Sequence, residues 1–429
     1  MDAKEREIEK LKSEIREIKE EYEKKIEELN KRIEELESKK QKEYVEPSKT
    51  LEVKETPAKT YVIEWWKNIE AGYSGGFFLR TRDDLFSLKI NLRSQFQFSV
   101  QDQGDKIDTS FDIKRLWIVF RGNAFYPWLK YLIILDASRS VELLDYIIDA
   151  NRIDQAVPRV GQYRVPFNRE EITDPFNLQL VDTSILNREF SFGRDIGASV
   201  GGIVSRFITY SVGVFNGNGR NSVNVDSNLL YVGRVMFTPT GELRYSSIQP
   251  FPVFGDYTYS QGTFGNPKTP LIAISAALLY LPNFRPANKG PDNSVINDRV
   301  TALGSNEANI FQLSADIAIK YLIFSLEAEY DLRNINPHET NIESVLSQGF
   351  RIQSGIFLLP QLVEVAGRFV FIDLNNHSDN DKIWEITPGL NFYFTKNHNL
   401  KLQFDYSFIR NEFPGKDTNR FRAQFTVSF

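Results

Sequence analysis

Arginine and lysine recur at every second position within several apolar runs, and the chain's chemistry is concentrated in this spacing. Lys89, Arg93, Arg115, Arg121, Arg164, Arg234, Arg351, Arg368, Arg420 and Arg422 fall opposite the apolar face of their runs. Strand 321–332 sets Glu327, Glu329 and Asp331 in the same phase, with Glu364 and Asp405 on neighbouring runs. Side chains that alternate along an extended chain share a face, so these groups line one surface. Rings of Arg and Lys favour anions and rings of carboxylates favour cations. Both are present, so the charges support a mild anion preference and no more. Each single cation reads equally well as a wall charge paired to the next strand.

Bond-making chemistry finds no such support. The chain has no cysteine, which excludes disulfides and thiolate metal sites, and its three histidines, His338, His377 and His398, lie far apart in predicted loops or turns. No Ser-His-Asp set is evident, and neither a phosphate-binding P-loop nor a dinucleotide fingerprint occurs. Asp379-Asn-Asp381 beside His377 has the carboxylates to touch a divalent cation, yet a polar loop tip explains it more simply. No enzyme activity, metal, cofactor or nucleic-acid partner is expected.

The elements that must position the charges are extended. Leu400, Leu402, Phe404, Tyr406 and Phe408 alternate with Lys401, Gln403, Asp405 and Ser407, and after a polar stretch Phe421, Ala423, Phe425, Val427 and Phe429 resume the pattern. Period-two alternation is a strand with one buried face, and two such runs joined by a polar loop form a hairpin. From residue 77 on, sixteen such segments follow one another: 86–101, 110–122, 128–137, 143–151, 158–165, 194–204, 206–215, 228–239, 270–281, 308–319, 321–332, 347–358, 361–373, 384–395, 398–411 and 418–429. Tight connections follow the even-numbered segments and long ones the odd-numbered, as in outer-membrane barrels. The connection 240–269 breaks this rule, so it either folds into the lumen or marks a miscounted strand. A mean hydropathy of -0.35 with 25% charged residues is compatible with a membrane if half of each strand faces a wet lumen. No apolar run approaches the length of a spanning helix, so a bilayer is crossed by a barrel or not at all. The start, Met1-Asp-Ala-Lys-Glu-Arg6, is charged and no apolar core follows it, so the sequence reads as a mature chain given a start Met.

Residues 1–40 belong to another physical class. Ile8, Leu11, Ile15, Ile18, Tyr22, Ile26, Leu29, Ile33 and Leu36 keep a heptad seam with one stutter at Tyr22, amid Glu, Lys and Arg. So narrow an apolar stripe needs identical partners to bury it, and Ile at successive core positions leans toward trimers. The rod would be about 50 Å long at the helical rise per residue. Residues 41–76, interrupted by Pro47 and Pro57, read as an extended linker that passes Trp65 and Trp66, suited to an interfacial anchor or a plug contact.

Arg159-Val-Gly-Gln-Tyr-Arg-Val-Pro-Phe167, Phe192-Gly-Arg-Asp-Ile-Gly197, Val214-Phe-Asn-Gly-Asn218, Glu364-Val-Ala-Gly-Arg-Phe-Val-Phe-Ile-Asp373, Gly389-Leu-Asn-Phe-Tyr393 and the terminal Phe429 resemble, in order, the phosphate-selective porin O and P family. The resemblance spans residues 77–429. It implies a sixteen-stranded, trimeric outer-membrane porin, often with an N-terminal coiled coil, whose third loop folds inward and whose Arg and Lys residues lead anions through. The loop of about 166–193 matches that constriction loop, which would set Arg164, Arg169 and Arg194 at the narrowest point. The expected protein is thus a trimer in outer-membrane lipid that passes small hydrophilic solutes, anions above all, with its coiled coil in the periplasm. The alternative is a structural barrel whose coiled coil tethers the membrane to the cell wall, peptidoglycan included.

Overall fold

The computed structural model describes residues 68–224, 227–240, 260–286, 294–413 and 415–429, with Lys25 and Lys31 alone before them. The heptad seam from Ile8 to Leu36 and the Trp65-Trp66 pair lie outside the described residues.

Two short strands come first, β1 (Ile69–Tyr73) and β2 (Phe77–Thr81). Sixteen longer strands follow: β3 (Ser87–Asp102), β4 (Ile107–Asn123), β5 (Leu129–Asp136), β6 (Glu142–Ala150), β7 (Val157–Arg164), β8 (Arg194–Ser205), β9 (Ile208–Phe215), β10 (Leu230–Phe237), β11 (Leu271–Phe284), β12 (Ala308–Tyr321), β13 (Phe324–Pro337), β14 (Val345–Leu359), β15 (Val363–Asp373), β16 (Lys382–Tyr393), β17 (Leu400–Asn411) and β18 (Lys416–Ser428). From β3 to β18 each strand pairs antiparallel with the next. β18 then pairs with β3, from Asn419 opposite Asp102 to Ser428 opposite Arg93, and Phe429 and Leu92 exchange backbone hydrogen bonds of 2.9 and 3.0 Å. Closure leaves no free edge, which is the condition for a sheet in a bilayer. The aromatic face of the terminal hairpin points outward, with Tyr406, Phe421 and Phe425 exposed, while Gln403, Asp405 and Gln424 are buried inside.

The interval read as linker up to residue 76 is strand at its end. Ile69 to Tyr73 pairs with Thr81 to Phe77, and Phe77 to Arg80 pairs with Ile90 to Ser87, so the hairpin continues the place of β18 beyond the C-terminus. Three apolar residues in so short a run gave too little periodicity to reveal it. Connections 206–207, 322–323 and 360–362 are tight as expected. On the other rim 165–193, 216–229 and 285–307 are long, but 103–106, 137–141 and 412–415 are short. Beside the first of these the strands, of 16 and 17 residues, simply run further before turning.

Candidate functional site in the lumen

The connection 165–193 turns inward. Short helices α1 (Arg169–Ile172) and α2 (Ile185–Phe190) and a 3-10 turn at Pro175–Asn177 shape it. Asp174 and Ser184 cap the last two, accepting from the Phe176 and Asn187 amides. The loop lies against the inner wall of β10–β17. Arg169 pairs with Asp316 at 2.6 Å, and Arg234 pairs with the other oxygen of the same carboxylate while donating to the Phe167 carbonyl at 2.5 Å. Arg351 bridges Glu327 at 3.2 Å and Glu170 at 3.5 Å, and Arg368 reaches Glu170, Glu385 and the Asp182 carbonyl. Wall carboxylates also accept from the loop's backbone: Glu329 from Glu170, Asp405 from Val181 and Glu385 from Ile185, at 2.9–3.1 Å. A charged group at such depth persists only when paired. Asp316, Glu329, Glu385 and Asp405 are therefore spent on holding the loop rather than forming a ring open to cations.

Glycine makes room for this fit. A Cβ on Gly355 would stand 2.1 Å from Nε2 of Gln179, one on Gly389 2.5 Å from Leu180, and one on Gly349 2.7 Å from Leu186. From the opposite rim the end of connection 238–270 also enters the lumen, as the first of the two alternatives required. Gln261 accepts from the Gln179 amide at 2.9 Å, donates from its own amide to the Asn177 carbonyl at 2.9 Å and meets Gln353 at 2.7 Å. Phe264 packs edge-on to Phe357, Tyr393 and His398. His398, expected in a surface turn, is buried: Lys401 donates to its Nδ1 at 3.1 Å, so its Nε2 donates to the Gln261 carbonyl at 2.8 Å. Burial and the Lys401 charge hold its pKa well below the ordinary imidazole value, so the ring is neutral. The expectation of a wet lumen thus fails over half the circumference. Gln403, on the lumenal face, is 1% exposed and donates to the Leu178 and Gln179 carbonyls.

Open space remains against β3–β8 and β18. One cavity of about 240 Å³ is bordered by Arg93, Arg121, Arg164 and Arg194 and by two carboxylates, Asp145 and Asp174. A second, of about 320 Å³ on the far side of the loop, is bordered by Arg188, Arg420 and Arg422 with Glu171 and Asp182. Guanidinium groups outnumber carboxylates in both, four to two and three to two. Arg164 and Glu171, 3.8 Å apart, border different cavities, so their pair stands between them. Arg164 also donates to the Glu171 and Thr173 carbonyls at 2.8 Å, which fixes the entry of the loop. Arg93 pairs with Asp174 at 2.6 Å, Arg194 with Asp145 at 3.0 Å and Arg115 with Asp182 at 3.1 Å. Arg121 has no carboxylate within ion-pair distance among the described residues.

The eleven arginines singled out by sequence therefore separate, with Arg420 and Arg422 bordering the second cavity. Arg169, Arg234, Arg351 and Arg368 tie the loop to the wall, while Arg93, Arg115, Arg121, Arg164 and Arg194 lie on the open side. Lys114 escaped the alternation rule. A β-bulge between Gln95 and Phe96 pairs Gln95 with Arg115 and Phe96 with Ile113, so Lys114 also turns inward, 3.1 Å from Asp182. Also missed were the lumenal apolar residues Val119, Leu132 and Ile134. The run Leu129-Lys-Tyr-Leu-Ile-Ile-Leu-Asp136 does not alternate, and that lapse was the available signal.

The sequence matches the family described as phosphate-selective porin O and P over residues 86–429. No curated protein sequence matches the chain. Among solved structures it is similar to the high-pH structure of Pseudomonas putida OprB, at 8% identity over 80% of this chain and 94% of that one, with a TM-score of 0.54. It is also similar to an anion-selective porin from Comamonas acidovorans, at 10% identity over 80% of this chain and 100% of that one, with a TM-score of 0.52. At such identities the likeness is one of fold: a closed sixteen-stranded antiparallel barrel.

Proposed function

The chain belongs to the phosphate-selective porin O and P family, and from that premise we propose that this outer-membrane porin passes small hydrophilic solutes passively, with a preference for anions. The observation that carries the preference is the division of the lumen. Asp316, Glu329, Glu385 and Asp405 are consumed by the loop, and the cavities on the other side keep an excess of guanidinium groups, Arg121 among them with no carboxylate at ion-pair distance among the described residues. A fixed cation in a narrow water column between low-dielectric walls concentrates anions, and added salt screens it. Arg121→Glu and Arg164→Glu should each move the reversal potential of a planar bilayer under a KCl gradient toward cations at about 0.1 M salt, and much less near 1 M. Folded channels with unmoved potentials would reduce both residues to wall charges.

The proposed assembly is a homotrimer in outer-membrane lipid with a periplasmic coiled coil over residues 1–40. What supports it is the heptad seam with Ile15 and Ile18 at consecutive core positions. The same seam favours a second, compatible role as a tether to the cell wall, since a pore alone has no use for a rod. Retention of the full-length trimer on purified peptidoglycan, lost on removal of residues 1–60, is the expected result for the tether; equal retention would exclude it.

A further inference from the structure

The lumenal face of a water-filled barrel is ordinarily polar, and β4 and β5 depart from this beside the first cavity. Val119 and Leu132 point inward there, and in the cross-strand register Val119 stands opposite Ile134 and Leu132 opposite Arg121. Trp117, next on the same face of β4, is covered by Phe176 of the loop at a ring separation of 5.1 Å, which accounts for that residue as packing. Val119, Leu132 and Ile134 border the cavity along with it. They offer no hydrogen bond to an ion, and a hydrated oxyanion passing them would lose water for nothing. Beside them on the same wall are Arg121, which has no carboxylate within ion-pair distance among the described residues, and, on β3, Arg93, stacked 4.0 Å over the Phe176 ring and paired with Asp174. The turn of the β1–β2 hairpin covers this end of the wall, held by Asn91 donating to the Gly75 carbonyl at 2.6 Å and by Lys89 donating to the Ser74 carbonyl. The space is therefore a half-covered pocket whose wall sets guanidinium groups next to an aliphatic patch.

Resting on the porin reading, we propose that this cavity is a binding site for organic anions that carry an apolar body, with the anionic head on Arg121 and Arg93 and the body on Val119, Leu132 and Ile134. Inorganic oxyanions would gain only from the guanidinium groups. Its volume of about 240 Å³ admits a short aliphatic chain or a single ring.

Block of chloride current through the full-length protein in planar bilayers, by acetate, butanoate, hexanoate and inorganic phosphate, tests this. Each methylene that leaves water is worth at most roughly fourfold in affinity, so the half-blocking concentration should fall about two- to fourfold per added CH₂. Phosphate should block more weakly than hexanoate. Leu132→Asn should flatten the chain-length series, and Val119→Thr, which keeps the side-chain shape, should flatten it in part and guards against a folding failure of the first variant. Arg121→Gln should weaken block by all the carboxylates together. A series without chain-length dependence, a phosphate block stronger than that of hexanoate, or an unchanged slope in Val119→Thr would each overturn the site. A folded protein that conducts no chloride would instead overturn the porin reading itself.

Discussion

Asp182 sits on the loop between Lys114 and Arg115 of the bulged β4, each 3.1 Å from its carboxylate. Burial alone would raise its pKa, but Arg115, Lys114 and Arg422 hold the carboxyl well below the usual carboxylate range. A depressed folded value means that its contribution is fully present above the unfolded pKa of about 3.9 and is lost only as pH falls through the lower folded value. Asp182→Asn removes a negative charge from the path and should raise anion selectivity at about 0.1 M salt. The difference from wild type should be the same at pH 7 and at about pH 3; a difference that largely disappears at the lower pH would show that Asp182 titrates normally. The sequence carried the cations of this cluster but not their geometry. Lys114 lies in the wrong phase until the bulge is known, and nothing local marks Asp182 as their partner.

Strands were legible because a two-faced wall imposes period two on nearly every one of them. The faces assigned to β17 hold, with Leu402, Phe404 and Tyr406 outward and Lys401, Gln403 and Asp405 inward. A mid-strand charge such as Phe404→Arg should cost about 2–4 kcal/mol in refolding titrations into lipid, and a negligible cost would contradict the outward assignment. Gln403→Lys, on a face that pattern alone marks as wet, would also be costly, because the loop has taken the place of water there. Loop placement was invisible to periodicity, since it depends on long-range pairing such as Ile185 with Glu385. The glycines were the local trace of it. Gly355→Leu places its branch where Gln179 now lies and should detach the loop from β14 without opening the barrel. Limited trypsinolysis in detergent checks this: Arg188 should become a cleavage site in the variant and stay protected in wild type. Equal protection would mean that Gly355 is not needed as a socket.

The barrel is uneven in height. β5, β7, β9 and β10 have 8 residues each and β6 has 9, against 14 and 15 in β13 and β14. Eight residues at a tilt near 45° rise only about 19 Å, short of an apolar band of about 25 Å. A wall that low costs bilayer thinning unless protein covers it, and its outward side chains, Val212 at 58% and Tyr231 at 47% exposure, are as apolar as those of the tall wall. A neighbouring copy is the cover that closed symmetry supplies, so the short wall is where the proposed trimer should meet. The natural sequence has no cysteine, which leaves single-cysteine labelling unambiguous. A fluorophore on Val212→Cys should escape quenching by brominated acyl chains, while one on Ile352→Cys of β14 should be quenched. Comparable quenching at both positions would place the short wall in lipid. The contact must then lie elsewhere or be made by the seam through Ile15 and Ile18 alone, in which case replacing both with Asn should release monomeric barrels on sedimentation.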